Sequence, residues 1–358
     1  MYNIGFYIKR FFSLLFTSII FWCLAFSFFI MIRYFAFSQE ITENNNDQIP
    51  ITQWLDFGIW IGVVLGIFYG IIEFLFERYL LKKQSIFLII LEKAFLYLII
   101  LILSTTFISF LVESRLDKDI PNGSLWWLRS NTFWLVVGYF IIMSQILAFY
   151  KMANKKFGNG VLFNLLIGYY KNPQEEKRIF MFLDLKSSTT IAEQLGHLKY
   201  SRLIQDCFYD LNMVLNRYSA EVYQYVGDEA VINWKYKRGI KNNNCLKIYF
   251  AFNARIQRRK KYYLKKYGVL PNFKAGVHGG ILTVTEVGVV KKEIAYHGDV
   301  INTCSRIQEE CNTYGVSLLI SDDIFKEVKK STYKFSNLGN ILLKGKEEPL
   351  KIYSVELE

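Results

Sequence analysis

The stretch Phe182-Leu183-Asp184-Leu185-Lys186-Ser187-Ser188-Thr189-Thr190 decides how the second half of this 358-residue chain is read. The apolar run from Arg178 predicts a strand that ends beside Asp184, and the Ser/Thr-rich turn after it opens a helix. Tyr225-Val226-Gly227-Asp228-Glu229 repeats the theme, with a second aspartate at the end of a strand-like run. Each aspartate alone reads as a turn or cap residue. Together they read as a two-metal nucleotide site. Two carboxylates on neighbouring strand ends can hold divalent cations on a triphosphate while helix-opening N–H groups cradle it.

Outward from that core, hydropathy divides the chain. Residues 1–150 hold four stretches long and apolar enough to span a bilayer, 11–32, 54–76, 86–112 and 132–150. Residues 151–358 have ordinary globular polarity. The first stretch is longer than a signal-peptide core and lacks a small-residue cleavage site, so it reads as a retained helix. Lys9 and Arg10 precede it, Arg78, Lys82 and Lys83 separate the second from the third, and Lys151, Lys155 and Lys156 follow the fourth. Glu40, Glu43 and Asp47 occupy the first connection. The positive-inside rule then places both termini in the cytoplasm, which an even number of spans requires. The expectation is a multi-pass protein of the plasma or inner membrane, with the lipid bilayer as a partner. Its parts are an all-α four-helix transmembrane region over 1–150, a linker with a coupling helix over 151–177, and an α+β domain over 178–358.

Residues 1–150 contain ten basic and ten acidic side chains, so the net charge of +12 belongs to 151–358. The basic run Arg255, Arg258, Arg259, Lys260, Lys261, Lys265, Lys266 reads as a solvated helix face beside an anionic leaflet, not as a nucleic-acid surface. No nucleic-acid partner is expected. Five cysteines and three histidines show no disulfide or zinc spacing. The outward connections, 33–53 and 113–131, are too short for a folded receptor domain, so a signal would enter through the bundle. Asp56, Glu73, Glu92 and Lys93 lie inside apolar stretches, where charge is functional or snorkels to the interface. Gly158-Asn159-Gly160 breaks the last helix, and Val161, Leu162, Leu165, Leu166 and Ile167 form a short amphipathic stripe before Pro173.

Beyond 178 the pattern predicts strands at 178–185, 221–226, 230–234, 272–278, 281–287, 316–320, 333–343 and 350–357. Helices are predicted over 189–218 with a break at Gly196, over 243–267 and over 299–314. The order β-α-β-β-α-β with additions indicates a ferredoxin-like sandwich.

Five motifs in sequence order carry a resemblance over 178–357. They are Phe182-Leu183-Asp184-Leu185 with Ser187, Ser188 and Thr189; Tyr225-Val226-Gly227-Asp228; Gly276-Val277-His278-Gly279-Gly280; Gly298-Asp299-Val300-Ile301-Asn302-Thr303-Cys304-Ser305-Arg306; and Leu343-Lys344-Gly345-Lys346 with Pro349 and Tyr353. In these the chain resembles the class III nucleotidyl cyclases, the adenylate and guanylate cyclase catalytic domain family. The resemblance implies a ferredoxin-like nucleotidyl cyclase domain that makes 3′,5′-cyclic AMP and pyrophosphate from ATP with two Mg²⁺ or Mn²⁺ ions per site. It implies Asp184, Asp228 and the Leu185 carbonyl as metal ligands, and Ser187, Ser188, Thr189 and either Lys344 or Lys346 at the phosphates. Asn302 and Arg306, at i,i+4 on one helical face, would position the ribose and stabilise charge on the α-phosphate. His278 reads as structural, and His297, beside the base-recognition segment, as structural or in contact with substrate. Since family sites take metal residues from one subunit and Asn/Arg from the other, a chain holding both sets implies a homodimer with two equivalent sites.

Base recognition departs from the family pattern. Four residues before the second aspartate stands Gln224 where adenylate cyclases carry lysine, and seven before the asparagine stands Ala295 where they carry Asp or Thr. Glutamine can both donate and accept, and alanine does neither. A cyclase making cGMP or a cyclic pyrimidine nucleotide therefore remains as an alternative, as does a membrane receptor that only binds nucleotide. Gly227-Asp228-Glu229 also has the outline of a diguanylate cyclase turn, but Val226 and Ala230 replace its glycine and phenylalanine.

Overall fold

A computed structural model describes residues 4–41, 50–79, 88, 91–103, 106, 131–157, 164, 165, 167–290 and 292–358. The chain forms two compact units, Met1–Ala153 and Asn154–Glu358.

In the first unit, α1 (Ile4–Ile41), α2 (Ile51–Tyr79) and α3 (Asn131–Phe157) each contain a segment long and apolar enough to cross a membrane. Residues 88, 91–103 and 106 are helical. The rest of the predicted span 86–112 lies outside the described residues, as do the predicted break at 158–160 and most of the stripe after it. α1 runs to Ile41, so the predicted connection 33–53 begins later than expected. α1 and α2 meet along a ladder of glycines. An added Cβ at Gly58, Gly62, Gly66 or Gly70 would come within 2.5, 2.5, 2.6 or 2.9 Å of an α1 atom, at the last three a backbone Cα. Only glycine at every fourth position lets two backbones approach so closely. Trp22 stacks on Phe140 at 4.4 Å, and Tyr69 on Tyr97 at 4.5 Å. Lys93 Nζ lies 2.8 Å from Glu73 Oε2, so two of the charges inside the apolar stretches satisfy one another.

The second unit is built on an eight-stranded sheet of order β2-β3-β1-β4-β6-β8-β7, with β5 paired to the far half of β4. The strands are β1 (Gln174–Leu185), β2 (Glu221–Val226), β3 (Glu229–Lys235), β4 (Phe273–Val287), β5 (Glu293–His297), β6 (Leu318–Ser321), β7 (Tyr333–Ile341) and β8 (Leu350–Leu357). The helices are α4 (Ser188–Leu195), α5 (His197–Leu215), α6 (Tyr236–Ile240), α7 (Asn244–Arg258), α8 (Lys260–Tyr267), α9 (Asp299–Thr313) and α10 (Asp322–Glu327). The first four strands lie in the ferredoxin-like order, and all but the β4–β6 pair are antiparallel.

Three expectations are corrected. β1 starts at Gln174, inside the predicted linker, because β4 is long enough to pair with it from Val284 to Phe273. The two strands predicted over 272–287 are one, since Gly279 and Gly280 stay extended opposite Ile179 and Arg178. β5 was not predicted at all; it is short and flanked by charge, and its pairing with β4 defines it.

Ile179, Met181, Leu183 and Leu185 point to one side of the sheet, where α5, α7 and α8 cover them with Leu203, Cys207, Phe252 and Tyr263. Phe180 and Phe182 point to the other, against Val300 and Cys304 of α9. That alternation fixes the register and with it the side on which Asp184 emerges.

Candidate active site

Asp184 follows Phe180 and Phe182 on the α9 side of the sheet, half-buried at the end of an apolar row. Leu183 pairs with Ala230, so the β2–β3 turn closes beside the end of β1. That turn has two residues, Gly227 and Asp228, between the paired Val226 and Glu229. Gly227 holds φ +60°, the left-handed conformation such hairpins favour at their first position. The two aspartates are thus brought together by strand pairing.

Asp228 Oδ2 is buried and has no hydrogen-bond partner among the described residues. A buried acceptor left in that state costs about 1–3 kcal/mol, which a cation would recover. Asp184 is differently served. Lys274, its cross-strand partner on β4, brings Nζ to 3.3 Å from Oδ2, and Gln308 Nε2 donates to the same oxygen at 3.2 Å. Burial pushes the Asp184 carboxyl above its ordinary range, Lys274 opposes this, and the charge of Asp228 adds to it. Burial and then the charges of Asp184 and Asp228 push Glu229 up to about 7. Negative charge is in excess here.

Divalent cations fit this donor set. Two carboxylates and a backbone carbonyl are hard oxygen ligands, and Mg²⁺ is commonly held by one or two carboxylates while substrate phosphates complete its shell. Among the described residues no group of three or more His, Cys, Asp or Glu side chains could hold a metal, so the side-chain ligands available are a pair.

Ser187 turns the chain from β1 into α4 with φ 57°, and its side chain makes no cap hydrogen bond. Ser188 and Thr189 form the first turn of α4, whose leading N–H groups lack helical partners. α9 carries Asn302, exposed, and Arg306, half-buried, on one face; Cys304, Ile307, Gln308 and Cys311 are buried on the other. The helix lies hard against β4, since a Cβ on Gly276 would stand 2.4 Å from the backbone nitrogen of Gln308. Lys346 forms an ion pair with Asp299, the first residue of α9, which also accepts from Thr303 at 3.0 Å. Lys344 is exposed, and Gly345 between them passes close to the Arg306 guanidinium. Among the described residues no hydrogen bond or ion pair joins Asn302 or Arg306 to Asp184 or Asp228.

Gln224 is exposed on β2, just past a register shift after Val222. Ala295 lies in β5 opposite Thr285. Their neighbours Tyr223 and Tyr296 pack edge to face at 4.8 Å, so side chains of β2 and β5 meet although the two strands do not pair. His278 is buried with Nδ1 2.8 Å from Ser321 Oγ, and burial pushes it down to about 4. Lys274 and Gln308 escaped the sequence reading. The only signal for Lys274 was a lone cation inside an apolar strand two residues before Gly276.

A mixed sheet of this order, with paired carboxylates at one strand end and a helix pressed onto its glycine strand, defines an α+β nucleotide-cyclase domain. The Adenylate and Guanylate cyclase catalytic domain matches residues 170–356, and this chain belongs to that family. It is 31% identical over 244 residues to Adenylate cyclase 2 of Rhizobium meliloti (strain 1021), covering 68% of this chain and 64% of that protein. It is 22% identical to an adenylate cyclase of Anabaena cylindrica over 49% of this chain and 36% of that one. The chain thus spans less than two thirds of these relatives. Among solved structures a bacterial light-regulated adenylyl cyclase has the same fold, with TM-score 0.53 and 15% identity over 64% of this chain and 66% of that one.

Proposed function

We propose that this chain is a membrane-bound adenylate cyclase that converts ATP to 3′,5′-cyclic AMP and pyrophosphate. The observation that carries this reading is the pair Asp184 and Asp228, one oxygen of which is buried without a hydrogen-bond partner among the described residues, at the strand ends of a cyclase-family domain. The adenylate cyclases among its relatives support ATP as substrate.

Cyclisation requires the ribose 3′-oxygen to lose its proton and attack the α-phosphorus in line while pyrophosphate leaves. Two Mg²⁺ or Mn²⁺ ions held by Asp184, Asp228 and the Leu185 carbonyl would lower the pKa of that hydroxyl and neutralise phosphate charge. Arg306 stabilises the charge that grows on the α-phosphate, and Asn302 orients the ribose. Ser187, Ser188 and Thr189 offer hydroxyl and N–H donors to the phosphates. Of the two hairpin lysines, Lys346 is engaged with Asp299, which favours Lys344 as the phosphate ligand. Lys274 adds a buried cation beside Asp184. The Asn302/Arg306 pair reaches the metal residues of a second copy, giving a homodimer with two sites. Residues 1–150 form four membrane spans with both termini cytoplasmic, 151–177 a linker, and 178–358 the catalytic domain. Large exposed apolar side chains along α1, among them Phe12, Phe16, Leu24 and Phe28, favour lipid as its surroundings.

Purified full-length protein given Mn²⁺ and ATP should release cyclic AMP, and Asp184→Ala should lower kcat by roughly a hundredfold or more. No cyclic product, or product untouched by that substitution, overturns the reading. A second reading rests on Gln224 and Ala295, which give the base no fixed hydrogen-bond pattern. Mass spectrometry of products from four competing nucleoside triphosphates separates it, since cGMP or a cyclic pyrimidine nucleotide would displace cyclic AMP.

A further inference from the structure

Arg178 is the most conspicuous buried group that the proposed chemistry does not use. It is 2% exposed, on the same side of β1 as Asp184 but nearer the middle of the strand. Its Nε donates to Glu176 Oε2 at 2.7 Å and its Nη1 to Asn233 Oδ1 at 2.5 Å, with Glu221 Oε2 at 3.7 Å. Its guanidinium lies over the ring of Tyr296 on β5, 5.0 Å from the centroid. A buried cation with this many partners is costly to assemble and strongly destabilising to break. It holds something in place.

What it holds is visible from both ends. Tyr296 also packs against Phe180 at 5.4 Å and Tyr223 at 4.8 Å, and Ile294 packs against the same cluster, so two side chains pin β5 to the sheet. Otherwise β5 pairs only with β4, and it is five residues long. At the other end Tyr170, in the segment between α3 and β1, donates its hydroxyl to Glu176 Oε1 at 3.0 Å. Its backbone carbonyl accepts from Glu286 N at 2.9 Å and Thr285 Oγ1 at 3.4 Å. Thr285 and Glu286 are the β4 partners of Ala295 and Ile294. The strap at Tyr170 thus holds the strand against which β5 pairs, while Arg178 holds β5 itself.

We propose that Arg178 and Tyr170 are positioning residues for β5, setting how tightly the nucleotide base is bound beside Ala295, so that the segment leading into the domain governs substrate affinity. The role of β5 at the base rests on the cyclase reading above; the pinning of β5 does not. Neither residue touches substrate.

The test uses the full-length protein and two variants with two readouts. Arg178→Lys keeps the charge but loses the fork that serves Glu176 and Asn233 together. Tyr170→Phe keeps the ring and the backbone carbonyl that meets β4, and removes only the hydroxyl that holds Glu176 against Arg178, so it is the gentler change and reaches β5 through Arg178. We expect KM for ATP to rise about tenfold in Arg178→Lys and about threefold in Tyr170→Phe, with kcat within about twofold of the parent. Amide exchange over 293–297 should quicken in both while β1 and β3 stay protected. Unchanged exchange over 293–297 in Tyr170→Phe overturns the proposal, as does a fall in kcat at constant KM or exchange that quickens throughout the sheet. If no nucleotide is cyclised, the exchange measurement still decides whether these residues pin β5, and only the affinity claim falls with the cyclase reading.

Discussion

Lys274 shows how much a single side chain can decide at this site. A lysine 7% exposed, 3.3 Å from Asp184, opposes the upward push that burial and neighbouring carboxylates exert on Asp184 and Glu229. Lys274→Met should raise KM for ATP about tenfold and leave the fold intact, measured by steady-state kinetics with circular dichroism as control. His278 makes a different prediction. It is buried beside Ser321, with Asp323, Lys346 and Asp299 the charged groups around it, and burial lowers its pKa from 6.5 to about 4. The unfolded chain therefore binds its proton first as pH falls, so stability contributed by neutral His278 is complete above about pH 6.5 and lost towards pH 4. The loss is at most about 3 kcal/mol, and His278→Gln should flatten that part of a denaturation-against-pH curve. Both aspartates were legible because each ends an apolar run. Lys274 was not, because its meaning comes from a cross-strand neighbour far away in sequence.

Among elements, α9 and β4 are matched through Gly276. The Gly-x-His-x-Gly motif reads first as a strand end, yet β4, 15 residues long in all, runs through it to Val287. The glycine is there because α9 presses on the strand, and its replacement would drive a Cβ into helix backbone at 2.4 Å. Gly276→Ala should cost about 3 kcal/mol by overpacking, seen as a Tm lower by roughly 6–12 °C. α5 was readable from periodicity because its burial is one-sided, and β1 from a continuous apolar run that is buried on both faces. β5 and α10 were missed because each is short and takes its shape from partners: β5 from the β4 ladder, and α10 from Ile324, which packs into the core. Sequence also split β4, since a pair of glycines looks the same whether the chain turns or a helix comes near.

At the scale of the whole molecule, the proposed homodimer has a direct test. Asp184→Ala and Arg306→Ala chains should each be inactive alone, and mixing them should restore about a quarter of parental activity, because half the dimers hold one intact site of two. Recovery absent under conditions that exchange subunits would mean that each site is built within one chain. The first unit brings in another property. The glycine ladder between α1 and α2 has no apolar periodicity of its own, so it is invisible to hydropathy and plain in the backbone distances. Separate helical rods answer a thicker or thinner bilayer by tilting one by one. In the bilayer proposed for this unit, two rods packed along four successive turns would tilt as a single plank, so a change of thickness would turn this pair without prising it apart.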